Sequence, residues 1–265
     1  MPRQIRQRSN TGIYHVMLRG INRQDIFEDK EDYVQFLRIL SAIVNRKDER
    51  GIPLPQLCTL YAYCLMSNHV HLLIRERQEN VSQNIKRIGV AYASYYNHKY
   101  ERNGHLFQDR FRSETVDTIE YFMTLIRYIH QNPVKAGQVA EVKDYPWSSW
   151  HEYEGKPSEY PICDTETVIK RLERQNLYEF VTMPVSEEGI LDFHDDCCNN
   201  YTDDEVKDFI KNTCGIDVAT NIQKLQKYER NLVLKRLCDI GITIRQISRI
   251  TGVSYGVISR AKSGA

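Results

Sequence analysis

The sequence predicts an α+β domain, a ferredoxin-like antiparallel sheet with helices on one face, followed by a smaller all-helical domain. Three observations carry this. Over residues 1–153, β-rich runs alternate with helical periodicity in the order βαββαβα. From residue 202 onward only helical periodicity remains. Charge also changes sign twice along the chain. Residues 1–150 hold 21 Lys and Arg against 16 Asp and Glu, residues 151–220 hold 6 against 17, and residues 221–265 hold 9 against 2. Two basic blocks, net +5 and +7, thus flank an acidic one of −11. Basic blocks attract phosphate backbones by releasing condensed counterions.

The elements follow in order. Ile13 to Arg19 has strand composition. Phe36, Leu37, Leu40, Ile43 and Val44 recur at helical spacing between about Lys30 and Lys47. Gly51 to Pro55 punctuates the chain. Leu57 to Leu65 and His69 to Ile74 read as adjacent strands joined by Met66-Ser67-Asn68. A helix is expected from Val81 to Tyr100, with Tyr92, Tyr95 and Tyr96 as packing residues, and a short strand from Arg112 to Val116. Thr118 can cap a helix that runs to Gln131 and is closed by Pro133, because the residue before a proline is pushed out of the α region. Residues 154–201 read as an acidic connecting region with some helix near 165–180. In the last block, Leu225, Leu232, Leu234 and Leu237 are expected to form an apolar face.

Composition excludes several classes. The chain has 265 residues, 41% hydrophobic and 27% charged, as ordinary globular proteins have. No apolar run approaches the ~18 residues of a membrane span, so no membrane partner is expected. The N-terminal Arg3, Arg6 and Arg8 are followed by no apolar stretch, unlike a secretory signal. Seven irregularly spaced cysteines suit reduced thiols in a cytoplasm. His194, Cys197, Cys198 and Cys214 include no C-x-x-C pair, so zinc is not expected.

The chemistry concentrates in Ser67-Asn-His-Val-His-Leu-Leu-Ile74. Side chains at i and i+2 of a strand share a face, so His69 and His71 project together while Val70 and Leu72 point into the core. Two imidazoles on one strand face can bind a divalent cation, although most histidine pairs at this spacing are only polar strand residues. A second signal is Arg127-Tyr-Ile-His-Gln-Asn-Pro-Val-Lys135. Tyr128 and Asn132 stand at i and i+4, on one helical face. A tyrosine hydroxyl beside an amide can act as a nucleophile next to a metal ligand.

The motifs together resemble the single-tyrosine HUH transposases, most closely the REP-associated tyrosine transposases with an IS200-like domain. The resemblance covers most of residues 1–153. It runs through Tyr14-His-Val-Met-Leu-Arg-Gly20 with Asn22 and Arg23, then Met66 to Leu73, and Gly104-His-Leu-Phe-Gln-Asp-Arg-Phe-Arg-Ser113. It continues through Arg127 to Gly137 and Asp144-Tyr-Pro-Trp-Ser-Ser149. His105 and Asp109 depart from the family pattern and would affect loop shape. The resemblance implies a metal-dependent enzyme that nicks and rejoins single-stranded DNA through a 5′-phosphotyrosine, on a hairpin or palindromic repeat. It places the nucleophile on Tyr128 and the metal ligands on His69, His71 and Asn132. Two neutral imidazoles and an amide suit Mg²⁺ or Mn²⁺ and leave positions for phosphate oxygens. Arg19 and Arg23 could hold phosphates. Phe107, Arg110 and Arg112 combine an aromatic with cations as single-strand grooves do. His15 faces the same region, with no assigned role.

Thr243 to Lys262 reads as helix, turn, helix, with Thr243 and Ser254 as caps and Gly252 in the turn. Ile247, Val253 and Ile258 have the spacing of its small core. Arg245, Arg249, Tyr255, Ser259 and Arg260 would face duplex DNA. Competing readings remain a sequence-specific DNA-binding protein with an inactive or domesticated transposase domain, and a replication or conjugation initiator. The chain could be a monomer or a homodimer.

Overall fold

The computed structural model describes residues 7–21, 24–108, 110–156, 159–172, 177–186, 190–191, 201 and 203–263. Asn22, Arg23, Asp109, His194, Cys197 and Cys198 lie outside the described residues, as does the side chain of Arg245. The chain divides into two compact units, Met1–Asp192 and Phe193–Ala265.

The first unit is built on strands β1 (Ile13–Arg19), β2 (Cys58–Met66), β3 (His69–Glu76) and β4 (Arg112–Thr115). They form one sheet in the order β2-β3-β1-β4, with every pair antiparallel. Helices α1 (Lys30–Val44) and α2 (Val81–Lys99) cover one face. Val16, Leu18, Leu60, Leu65, Val70 and Leu72 meet Phe36, Leu40, Ile85, Ile88 and Tyr92 there. Asp29 and Asn80 cap the two helices through capping boxes. The buried Asp32 carboxylate ties them together, accepting from Tyr95 (3.0 Å), Lys99 (2.9 Å) and Tyr100 (2.8 Å). Tyr92 and Tyr96 are packing residues, as expected from their positions.

The expectation of helices on one face is corrected by helix α3 (Ile119–Lys135), which covers the opposite face. Phe122, Leu125, Ile126 and Ile129 pack there on Tyr61, Ala62, Cys64 and Leu73. The reason is visible in β2, which is buried at every position: a strand with no polar face needs a layer on each side. Thr118 caps α3 by accepting from Tyr121 N. Two buried side chains fix its docking. His130 donates Nδ1–H to Ile126 O (2.7 Å) and shares a hydrogen bond with Ser149 Oγ (2.8 Å). Gln131 donates to Val181 O (2.6 Å) and Met183 O (2.7 Å).

Pro133 does not close the helix. It lies inside α3, which continues to Lys135. A proline this close to the C-terminus removes a single amide donor, and Ala136 N still reaches Asn132 O at 2.9 Å. Gly137, at φ 68°, then ends the helix in the left-handed region.

The acidic region read as a connector packs largely onto this unit. After α4 (Trp150–Tyr153), helices α5 (Thr165–Ile169) and α6 (Leu177–Thr182) bury Val168, Leu177 and Val181 in the α3-side core, together with Ile190. Apolar residues set between the acidic ones thus complete the second layer.

The second unit holds α7 (Asp203–Cys214), α8 (Lys227–Asp239), α9 (Ile244–Thr251) and α10 (Tyr255–Ser263). Val206, Ile210, Leu234, Leu237, Ile247, Val253 and Ile258 make its core. Leu232, expected on the apolar face, is exposed, because Leu234, Leu237 and Cys238 are the buried stripe of α8. Thr243 caps α9, and Gly252 at φ 71° makes the turn toward α10. Among the described residues, no helix is long and apolar enough to cross a membrane.

Candidate active site

The site is set by strand register. Opposite residues in an antiparallel pair share a face. Arg19 lies opposite His69, Met17 opposite His71 and His15 opposite Leu73. On the other side of β1, His15 lies opposite Glu114 and Met17 opposite Arg112. His15, Arg19, His69, His71, Arg112 and Glu114 therefore belong to the sheet face that α3 covers. Arg19 is nearly buried at the strand end beside His69, and Arg112 is exposed.

α3 brings Tyr128 onto this face. Its ring centroid lies 5.7 Å from that of His71 and 6.0 Å from that of His15, edge-on to both. His69 and His71 are 5.0 Å apart, centroid to centroid. Asn132, one turn beyond Tyr128, is buried and donates Nδ2–H to Tyr128 O at 3.0 Å. Its amide oxygen is then the end left for a cation. Lys135 carries its ammonium 5.0 Å above the Tyr128 ring, where a positive charge favours a phenolate or a phosphate.

Each histidine of the pair is held through Nδ1. His69 Nδ1–H donates to Asn68 Oδ1 at 2.6 Å. His71 Nδ1 shares a hydrogen bond with His15 Nε2 at 3.0 Å, and His15 Nδ1 with Glu114 Oε1 at 2.8 Å. Glu114 also accepts from Tyr121 OH (2.5 Å) and from Leu191 N. His71 is fully buried, and burial first, then His69 and His15, hold its pKa well below the usual imidazole range. It is therefore neutral, the form a metal ligand takes. Its Nε2 is buried with no hydrogen-bond partner. A bare, buried imidazole nitrogen beside a second imidazole fits a small divalent cation, and Asn132 stands one helical turn beyond Tyr128. Among the described residues there is no group of three His, Cys, Asp or Glu that could hold a metal, so such a set is mixed.

Tyr121 sits near the site as well, but burial and then its bond to Glu114 push its phenol well up. That makes it a poor nucleophile. His130, which lies in the same sequence motif as Tyr128, is committed to docking α3; burial lowers its pKa to about 4. Arg110 is elsewhere: with Lys86, Gly89, Phe107 and Phe111 it lines a cavity of about 560 Å³. Phe107 and Phe111 are half-buried against the core on the α1 and α2 side. Sequence reasoning gave His15 no role and missed Glu114; the alternation Arg112, Glu114 along β4 is the signal that could have found it.

Three comparisons with known proteins give matches. Residues 9–132 match the family model described as transposase IS200 like. A curated Haemophilus influenzae protein, a REP-associated tyrosine transposase by name, is 30% identical over 102 residues, 34% of this chain. The chain spans 57% of that relative's length. A solved structure described as a REP-associated tyrosine transposase bound to a REP hairpin is 21% identical, with a TM-score of 0.46, covering 62% of this chain and 93% of that one.

Proposed function

We propose that this chain, whose residues 9–132 match the transposase IS200-like family model, is a member of that family that nicks and rejoins single-stranded DNA with Tyr128 as nucleophile. The observation that carries the reading is the meeting of Tyr128 on α3 with the His69–His71 pair on β3, the Tyr128 and His71 ring centroids 5.7 Å apart. A single chain brings both halves together.

In this reading the Tyr128 oxygen attacks a backbone phosphorus. The P–O bond to the 3′ carbon's oxygen breaks, leaving a free 3′-hydroxyl and a 5′-phosphotyrosine. Attack by a 3′-hydroxyl reverses the step, and the conserved phosphodiester makes a nucleotide cofactor unnecessary. A free tyrosine phenol titrates near ~10, so the Tyr128 hydroxyl must lose its proton on the way; Lys135 is placed to stabilise the resulting charge. A Mg²⁺ or Mn²⁺ ion held by His69, His71 and Asn132 would supply Lewis-acid polarisation of the scissile phosphate. Arg19 and Arg112 flank the histidine pair and would hold neighbouring phosphates; Arg23 is assigned to this surface from sequence, and Arg110, in the separate cavity, could meet a more distant part of the strand. A hairpin or palindromic repeat is the proposed substrate.

Tyr128 is only 1% exposed. Bound DNA therefore has to displace part of its cover, of which Lys135 is the exposed and extended member. The same burial favours the second reading, a DNA-binding protein whose nucleophile is never uncovered. For the second unit we propose duplex binding through a helix-turn-helix formed by α9 and α10. Tyr255, Ser259 and Arg260 are exposed on α10, and Arg249 on α9; Arg245 is assigned to this surface from sequence.

The test is incubation with single-stranded DNA from the gene's own flanks, with Mg²⁺ or Mn²⁺, scoring a covalent protein–DNA adduct. An adduct that Tyr128→Phe removes supports the enzyme. DNA binding without any adduct in wild type supports the second reading.

A further inference from the structure

We propose that His15 and Glu114 form a positioning relay that fixes His71 as its Nδ1–H tautomer and so presents the Nε2 lone pair to the cation site. The inference rests on the metal reading above and deepens it. Neither residue touches the cation in this scheme; both act through His71.

The relay follows from donor and acceptor arithmetic along three strands. Glu114 already accepts from Tyr121 OH at 2.5 Å and from Leu191 N at 3.0 Å to Oε2. A carboxylate so placed is an acceptor, so the 2.8 Å contact to His15 Nδ1 takes its proton from His15. A neutral His15 with its proton on Nδ1 has a lone pair on Nε2. The 3.0 Å contact between His15 Nε2 and His71 Nδ1 then takes its proton from His71. A neutral His71 with its proton on Nδ1 carries its lone pair on Nε2, which is the buried atom without a hydrogen-bond partner.

His69 reaches the same state by a shorter route. The Asn68 amide oxygen takes its Nδ1 proton at 2.6 Å, which makes Nε2 its lone-pair nitrogen. The two histidines are thus oriented alike by unlike partners. Metal-ligating histidines are commonly held through their second nitrogen, and loss of such a partner typically weakens metal binding by ~10–100-fold. His15 is fully buried and Glu114 is one-fifth exposed, so water cannot easily stand in for His15.

The test uses the full chain in two measurements. Long-range ¹H–¹⁵N NMR on histidine-labelled, metal-free protein reads the His71 tautomer. Mn²⁺ titration followed by the EPR signal of the free ion reads affinity. The variants are His15→Phe, Glu114→Ala and Glu114→Gln, each checked for folding by tryptophan fluorescence. Wild type should show His71 protonated on Nδ1. His15→Phe, which keeps a ring but offers no acceptor, should shift His71 toward Nε2–H and weaken Mn²⁺ binding by about 10- to 100-fold. Glu114→Ala should do the same more weakly. Glu114→Gln, whose amide oxygen can still accept from His15, should restore both readouts to within about threefold of wild type. If His15→Phe fails to fold, the Glu114→Ala and Glu114→Gln pair decides. Wild type that binds no Mn²⁺ overturns the cation site and the relay with it. Wild type that binds Mn²⁺ with His71 protonated on Nε2, or variants that bind as wild type does, overturns the relay alone.

Discussion

His130→Ala separates a histidine that builds the site from those that line it. His130 makes two buried hydrogen bonds, to Ile126 O and Ser149 Oγ. Each contributes about 1 kcal/mol net. Ser149 Oγ keeps Tyr63 N and O as partners, so the substitution does not orphan it. The imidazole also fills space against Trp150 and Tyr153, and the void left behind adds about 1 kcal/mol. The first unit should therefore lose about 3 kcal/mol at pH 7.5. Acid should narrow the gap. Burial depresses the folded His130 pKa from 6.5 to about 4. The unfolded chain then binds the proton first, so wild-type stability is full above 6.5 and falls between 6.5 and 4. At pH 5 that loss is about 2 kcal/mol, and the alanine variant, lacking the group, does not share it. The difference should shrink to about 1 kcal/mol. Trp147 and Trp150 are the chain's two tryptophans and both lie in the first unit. Urea melts followed by their fluorescence at pH 7.5 and 5 report on it alone. Adduct formation per folded molecule should stay within a few-fold of wild type. An unchanged midpoint, or a gap that does not close at pH 5, would refute the packing role. Loss of the adduct from a fully folded variant would move His130 into the chemistry.

Four further outcomes are expected. Tyr128→Phe should abolish the covalent adduct while shifting stability by less than about 1 kcal/mol, since the ring contacts to His15 and His71 remain; an undiminished adduct on mass spectrometry would place the nucleophile elsewhere. His69→Ala, His71→Ala and excess chelator should each stop cleavage in a gel assay, and full cleavage in chelator would remove the metal. Deleting residues 202–265 should spare nicking of a short single strand but weaken duplex binding and lower its salt slope, through lost contacts such as Arg249 and Arg260; an unchanged slope would refute duplex reading. Gly252→Ala should cost the second unit about 2 kcal/mol by chemical denaturation. Its φ is 71°, and a Cβ would stand 2.2 Å from Gln223 Nε2, whose bond to Thr251 O would go; a variant as stable as wild type would contradict that geometry.

What the sequence carried, and what it did not, divides by distance along the chain. Strands and helices announced themselves through runs that each fit within about ten to twenty residues. His69 with His71, and Tyr128 with Asn132, are pairs whose spacing within one element places them on one face. The one-sided sheet, inferred from the order of elements, failed because β2, Cys58 to Met66, is buried at every position and so needs a layer on each side. Pro133 misled for a related reason, since a breaker's effect depends on how much helix remains beyond it, and only Val134 and Lys135 do. Glu114 was illegible in a stronger sense. It stands on a strand of four residues, Arg112–Thr115, and meets His15 only because β4 lies against β1 across 99 positions of sequence. Its chemical meaning then passes through His15 to His71, on a third strand. No spacing rule within an element can reach a contact of that kind. Register can: once β1 is known to sit between β3 and β4, His71, His15 and Glu114 fall on one face, within reach of the hydrogen bonds that join them.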